Sequence, residues 1–254
     1  MAPAYQQFLL DTLLIEILLV LSVAVLFQCG PFSMATPGFT AVGAYTSALL
    51  TTEQGWPVHV AVATAALAAA ALSAVFGLPV LRLRGSYLAL GSLALGQVVV
   101  LGISNASFTG GLFGVSGIPA GLGSEMLVVL LVGVCLLLQL VHRSYTGRAT
   151  RAVRLDERTA QGLGVHVFRL RLAVFVASGA LAGLAGALEA HRTGVISPDQ
   201  YGFPLLVAVF TYALVGGTGT GRVRSWPPWR SRCCGRPLSS RSRTRRTPSM
   251  VPSS

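Results

Sequence analysis

The sequence predicts an all-α fold, a polytopic membrane helix bundle of about seven spans. Three observations carry that prediction. Hydrophobic residues make up 53 % of the chain and charged residues only 11 %, with a mean hydropathy of +0.68, far from an ordinary soluble domain. Successive apolar segments are long enough to cross a hydrocarbon core of roughly 30 Å as helices. Between two of them, RSYTGRATRAVRLDERTAQGLGVHVFRLR (143–171) concentrates seven arginines. A polar segment of that length belongs in water, and its arginines assign it to the cytoplasmic side.

The net charge of +11 does not signal a nucleic-acid partner. Residues 218–254 hold nine arginines and no acid, leaving ten arginines against eight acids in 1–217. The four cysteines form no disulfide framework, since Cys29 and Cys135 lie in or beside apolar spans and Cys233 and Cys234 are adjacent. The N-terminus lacks a basic n-region, so Phe8 onward reads as a retained span.

In chain order, the first span is 8–28, interrupted by Asp11 and Glu16. Asp11 is within a turn of the start and reaches the interface. Glu16 is deeper, where an acid costs a few kcal/mol unless paired or facing protein; it reads either as a proton or substrate contact or as a helix end dipping into headgroups. The semi-polar second segment, 30–51, carries Pro31, Pro37, Gly30, Gly38 and Gly43. Proline and glycine at membrane depth free backbone groups that protein or a water-filled cavity must satisfy. Ser33, Thr36, Gly43 and Tyr45 are therefore candidates for a translocation path, although small residues at Gly43 and Ser47 equally permit close helix packing.

Spans at 57–81 and 86–103 flank a short basic turn with Arg82 and Arg84, again cytoplasmic by parity. The glycine-rich stretch 104–124, without Lys or Arg, reads as an external loop packed against the protein. A fifth span, 126–142, leads into the arginine-rich loop, and a sixth, 172–190, leaves it. Gly179, Gly183 and Gly186 give the sixth span one face of small residues suited to tight helix contact. A short outer loop, 191–202, and a seventh apolar segment, 203–217, complete a topology with the N-terminus outside.

Within this frame GAYTSALL, LRLRGSYLALGSLALGQVV, TGGLFGVSGIP, TGRATRAVRLDERTAQGLGV and LAGLAGALEAHRTGVISPDQYGF resemble, in unbroken order over about residues 27–220, the permease subunit of branched-chain amino acid ABC importers, more closely its LivM-type member. Permeases for urea and short amides share these patterns. The resemblance implies a multi-pass protein of the bacterial plasma (inner) membrane. It also implies three kinds of partner: a second, LivH-like permease subunit, ATPase subunits and an extracytoplasmic solute-binding protein. In such permeases a short helix of the cytoplasmic loop docks on the ATPase, and Asp156, Glu157, Ala160, Gly162 and Gly164 match its pattern of acid, small residues and glycine. Arg158 and Thr159 depart from it, standing where small apolar residues are usual. The residues suit a helix: acids near Asp156 favour its positive end, and Gly162 or Gly164 can end it. Without the resemblance, the loop also reads as a solvated basic segment that only sets topology.

No GxxxxGK[ST] run is present, so ATP hydrolysis belongs to a partner, and no cofactor or catalytic residue is assigned. The four histidines (59, 142, 166, 191) lack ligand-like spacing, so no metal site is expected. The enzyme alternative is a rhomboid-like intramembrane serine protease, in which Ser116 of Gly114–Gly117 would pair with His191 within about 3 Å. A secondary transporter would need intramembrane carboxylates for coupling, for which Glu16 alone qualifies well.

The family pattern holds through LVGGTGT (214–220) and stops. Residues 1–220 are thus expected to be an incomplete permease domain, and Gly221–Ser254 a disordered tail rich in Arg, Ser and Pro, read from a shifted frame of GC-rich DNA. With GC-rich codons, starting two nucleotides later turns Gly221–Pro237 into PGPVLAAVALALLRP, an apolar span after a Gly-Pro turn. The competing reading is a basic tail held at anionic headgroups at about 1 kcal/mol per arginine. Loss of that span would leave the 179–186 glycine face and the seventh span without a packing partner. Sequencing the gene across codon 220 tests the shift, which an interrupted second frame rules out.

Overall fold

The computed structural model divides into units 1–220 and 221–254. It describes residues 2–27, 33–83, 85–106, 109–119 and 124–216. The expected tail, Cys29, Cys233, Cys234, Gly30, Pro31 and Arg84 lie outside the described residues.

The first unit is a helix bundle: α1 (Ala2–Phe27), α2 (Thr36–Thr52), α3 (Val58–Val80), α4 (Ser86–Asn105), α5 (Ser124–Arg143), α6 (Tyr145–Leu155), α7 (Glu157–Gly162), α8 (Val167–Thr193) and α9 (Phe203–Gly216). Two short strands, β1 (Val115–Ser116) and β2 (Val195–Ile196), pair antiparallel, Val115 with Ile196 and Ser116 with Val195.

Five helices among the described residues are long and apolar enough to cross a membrane: Tyr5–Phe27, Val58–Val80, Ser86–Asn105, Glu125–Arg143 and Val167–Thr193. The fold is the expected all-α polytopic bundle, and two of the seven expected segments are short helices. Among the described residues, α2 (Thr36–Thr52) runs 17 residues and α9 (Phe203–Gly216) runs 14, about 25 and 21 Å at the α-helical rise. Within the arginine-rich segment α8 already starts at Val167, and it continues to Thr193 before Gly194, in the left-handed conformation (φ 71°), caps it.

At the centre α2 and α8 cross at backbone contact. A Cβ on Gly43 would fall on the backbone of Gly183, and one on Gly186 on the carbonyl of Thr40. A Cβ on Gly179 would lie 2.5 Å from Cβ of Ser73 in α3. The expectation that the 179–186 face lacks a partner is therefore overturned: α2 and α3 cover it. The seventh segment is partnered too, by α1, with Phe27 and Phe210 edge to face at 5.8 Å. Small residues let the helices close, and van der Waals contact, rather than exclusion of water, holds such a bundle in lipid. The hydroxyls of Thr40, Ser47 and Thr51 donate to carbonyls one turn earlier (Thr36 2.9 Å, Ala44 3.0 Å, Ser47 2.9 Å), so these three polar groups of α2 are satisfied within the helix. In contrast, α5 leaves Val129, Leu136, Leu137 and Leu140 exposed along its length, the surface expected of a helix bathed in lipid.

Candidate functional site

Two regions gather the chemistry. The first is the arginine-rich segment, in which α6 and α7 form a small layered platform. Asp156, extended at φ −155°, separates the two helices, and its carbonyl accepts the first bond of α7, from Ala160 N–H at 3.1 Å. Its carboxylate accepts from Thr159 Oγ1 at 2.6 Å. At the other end Gly164 (φ +81°) places its N–H on the Gln161 carbonyl at 3.0 Å, and Val165 N–H reaches the Ala160 carbonyl at 3.2 Å. That pair of bonds is a Schellman closure, and it needs a left-handed residue. Gly164 ends the helix; Gly162 is its last turn.

Val153, Ala160 and Val167 form a miniature core beneath the platform. Ala160, 1 % exposed, is thus part of that core. Glu157 is committed as well: its carboxylate takes a two-pronged bond from Arg171, Nη2 to Oε2 at 2.9 Å and Nη1 to Oε1 at 3.3 Å, the one ion pair within 4 Å among the described residues. It fastens α7 to the root of α8. Neither role was legible in the sequence, since 14 residues separate the partners. Sequence reasoning also missed Leu155 and Leu163, which flank α7 at 88 % and 74 % exposure. Their exposure beside a six-residue helix was the available signal.

The second region is the opposite end of the bundle. Of the path candidates, Ser33 and Thr36 are buried at the start of α2, where Ser33 Oγ accepts Ala35 N–H at 3.4 Å. Gly43 is taken up by the helix crossing. Tyr45 lies further along α2, 3 % exposed, with its hydroxyl buried and unpartnered. Its ring meets that of Tyr201 edge to face at 6.4 Å. Tyr201 is completely buried and its hydroxyl is likewise unpartnered. Burial pushes the Tyr201 pKa well above its usual value, with further upward contributions from the Glu189 carboxylate and the Tyr45 hydroxyl. Oε2 of Glu189 is itself buried without a hydrogen-bond partner.

On α1, Glu16 borders a groove of about 300 Å³ with Leu13, Ile17, Val20, Leu21 and Tyr212. Arg192, at the end of α8, donates to the Phe8 carbonyl at 2.6 Å and lies 3.9 Å over the Phe8 ring. His191 is 1 % exposed with Nδ1 3.2 Å from the Pro119 carbonyl and Nε2 unpartnered. Ser116 is in β1 and makes no hydrogen bond to that ring, so these two do not form the nucleophile–base pair a serine protease requires.

A family model described as branched-chain amino acid transport system / permease component matches residues 7–225. The chain belongs to this permease family. It is similar to the high-affinity branched-chain amino acid transport system permease protein LivM of Escherichia coli K12, 35 % identical over 218 residues, covering 72 % of this chain and 51 % of that protein. It is also similar to the probable branched-chain amino acid transport permease protein LivH of Methanocaldococcus jannaschii, 33 % identical over 106 residues, 42 % of this chain and 32 % of that one. A shorter likeness, 33 % over 90 residues, relates it to the fructose import permease protein FrcC of Rhizobium meliloti, covering 35 % of this chain and 25 % of that protein. No solved structure matches. The permease chain spans about half the length of the LivM proteins it matches. With several membrane-crossing helices, it is a multi-pass inner-membrane protein.

Proposed function

We propose that the chain is the transmembrane permease subunit of an ATP-driven importer for branched-chain amino acids. In this reading it works with a second, LivH-like permease subunit, an extracytoplasmic solute-binding protein and ATPase subunits that dock on the 143–171 segment. The observation that carries the docking is the α6–α7 platform: a rigid, internally bonded projection that offers Leu155 and Leu163 to water. Asp156, Gly162 and Gly164, all exposed, form the rim around them. Ala160 and Glu157 shape the platform from below. A permease for urea or short amides is the alternative, and it shares the docking.

Co-purification with the ATPase subunits of the same transport operon tests this. L155D/L163D should abolish capture while membrane insertion is unchanged. Undiminished capture of the double variant would overturn the docking surface, and no capture by the wild-type chain would overturn the importer reading.

A further inference from the structure

Arginines collect where α5 ends. Arg143 is its last residue, and α6 turns back so closely that a Cβ on Gly147 would fall on the backbone of His142. Arg151 Nη2 donates to the His142 carbonyl at 3.1 Å, which holds a guanidinium at that helix end. Arg148 and Arg154 lie three residues to either side of Arg151 on α6 and share its face. All four side chains are exposed. No acid occurs between Glu125 and Asp156. Among the described residues none of the four has a carboxylate within 4 Å, the ion pair there being Arg171–Glu157.

The same corner continues the bare apolar face of α5. Leu136 and Leu140, 56 % and 70 % exposed, precede Arg143 by seven and three residues. One helical stripe therefore carries apolar side chains up to a cation. Tyr145, two residues further on, is exposed as well, and a tyrosine at that level suits the headgroup region.

We propose that the α5–α6 corner binds an anionic phospholipid of the cytoplasmic leaflet, its phosphate on Arg143 and Arg148 and its acyl chains along Leu136 and Leu140.

The chemistry selects this ligand. Guanidinium groups only donate, and their planar fork matches phosphate oxygens. Free phosphate would satisfy the arginines and leave the leucine stripe uncovered, whereas an amphiphile covers both. A zwitterionic headgroup carries its own cation beside the phosphate, so an excess of arginine without acid favours a lipid with net negative charge. The cytoplasmic leaflet, where the positive-inside rule places this segment, supplies such lipids. A soluble ATPase cannot follow the stripe into hydrocarbon. The site involves neither solute nor ATP, so it stands apart from the importer reading.

Native mass spectrometry of the full chain in a non-ionic detergent tests it, with dioleoylphosphatidylglycerol and dioleoylphosphatidylcholine as probes of identical tails. Residues 221–254 carry arginines too, so the deciding comparison is among variants that share them. R143Q and R148Q should each weaken retention of the phosphatidylglycerol about fivefold, and together about thirtyfold, with phosphatidylcholine retention unchanged. R143K/R148K should keep most of the preference. R82Q, exposed at the turn between α3 and α4, should match wild type. Equal retention by R82Q and R143Q/R148Q would overturn the site, as would displacement of the lipid by millimolar inorganic phosphate. Loss of ATPase capture by R143Q/R148Q with lipid retention intact would also overturn it and assign the arginines to that partner. Photocrosslinking of the wild-type chain with a diazirine-bearing phosphatidylglycerol needs no variant to fold. Adducts should map to 136–151, and adducts confined to other segments would refute the proposal.

Discussion

Gly43→Ala attacks the contact on which the bundle closes. The added Cβ would coincide with backbone atoms of Gly183, and backbone cannot rotate away as a side chain can. To restore ordinary contact, α2 and α8 must separate by more than 1 Å or so, which also loosens the Gly186–Thr40 and Gly183–Phe39 approaches between the same two helices. Overpacking of this kind costs about 1–3 kcal/mol, and an unyielding backbone neighbour puts this site at the upper end. The greater helix propensity of alanine returns about 1 kcal/mol. The net loss is about 2 kcal/mol, roughly a thirtyfold fall in the folded-to-unfolded ratio. Gly133 on α5, where a Cβ meets nothing within 4 Å, is the matched control, and G133A should be neutral or slightly stabilising. Fluorescence-detected size exclusion after heating in detergent ranks the variants. A G43A melting profile that overlays G133A would refute the reasoning.

Other expectations follow from the same structure. Removing the Arg171–Glu157 pair by E157Q should loosen the platform by about 0.5 kcal/mol, since both side chains are partly exposed (27 % and 43 %). R171M should add little on top of it in a double-mutant cycle, and additive effects would mean the pair is not coupled. Single cysteines at Ser116 and Ser144, in a background without native cysteines, should label from opposite sides of the membrane; same-side labelling would break the topology. Tyr201 keeps its proton to higher pH in the folded state than in the unfolded state. Above about pH 10 the unfolded state thus binds fewer protons and folding stability falls as pH rises. Melting at pH 9 and 11 should show a smaller decline for Y201F than for wild type, and equal declines would argue against it.

Much of the protein was written locally. Hydropathy and length alone mark the spans, because the bilayer imposes one dimension on every helix. The glycines at 179, 183 and 186 announce a packing face because their spacing follows the helical period. The loop helix near Asp156 was legible from an acid at its start and a glycine at its end, since caps act within a turn.

Pairings between distant residues were not legible. Whether Gly43 lines a path or meets another helix depends on what stands opposite it, and only the fold brings Gly183 there. Glu157 looks like a surface acid until Arg171 closes on it, and Ala160 looks available until Val153 and Val167 cover it. Tyr45 and Tyr201 are far apart in the chain, and their rings meet only because the fold brings α2 against the turn before α9. Local composition determines where a helix forms and how deep in the membrane it lies. Which face is occupied, and by what, is a property of the packed bundle, where each neighbour is chosen by shape across the whole chain.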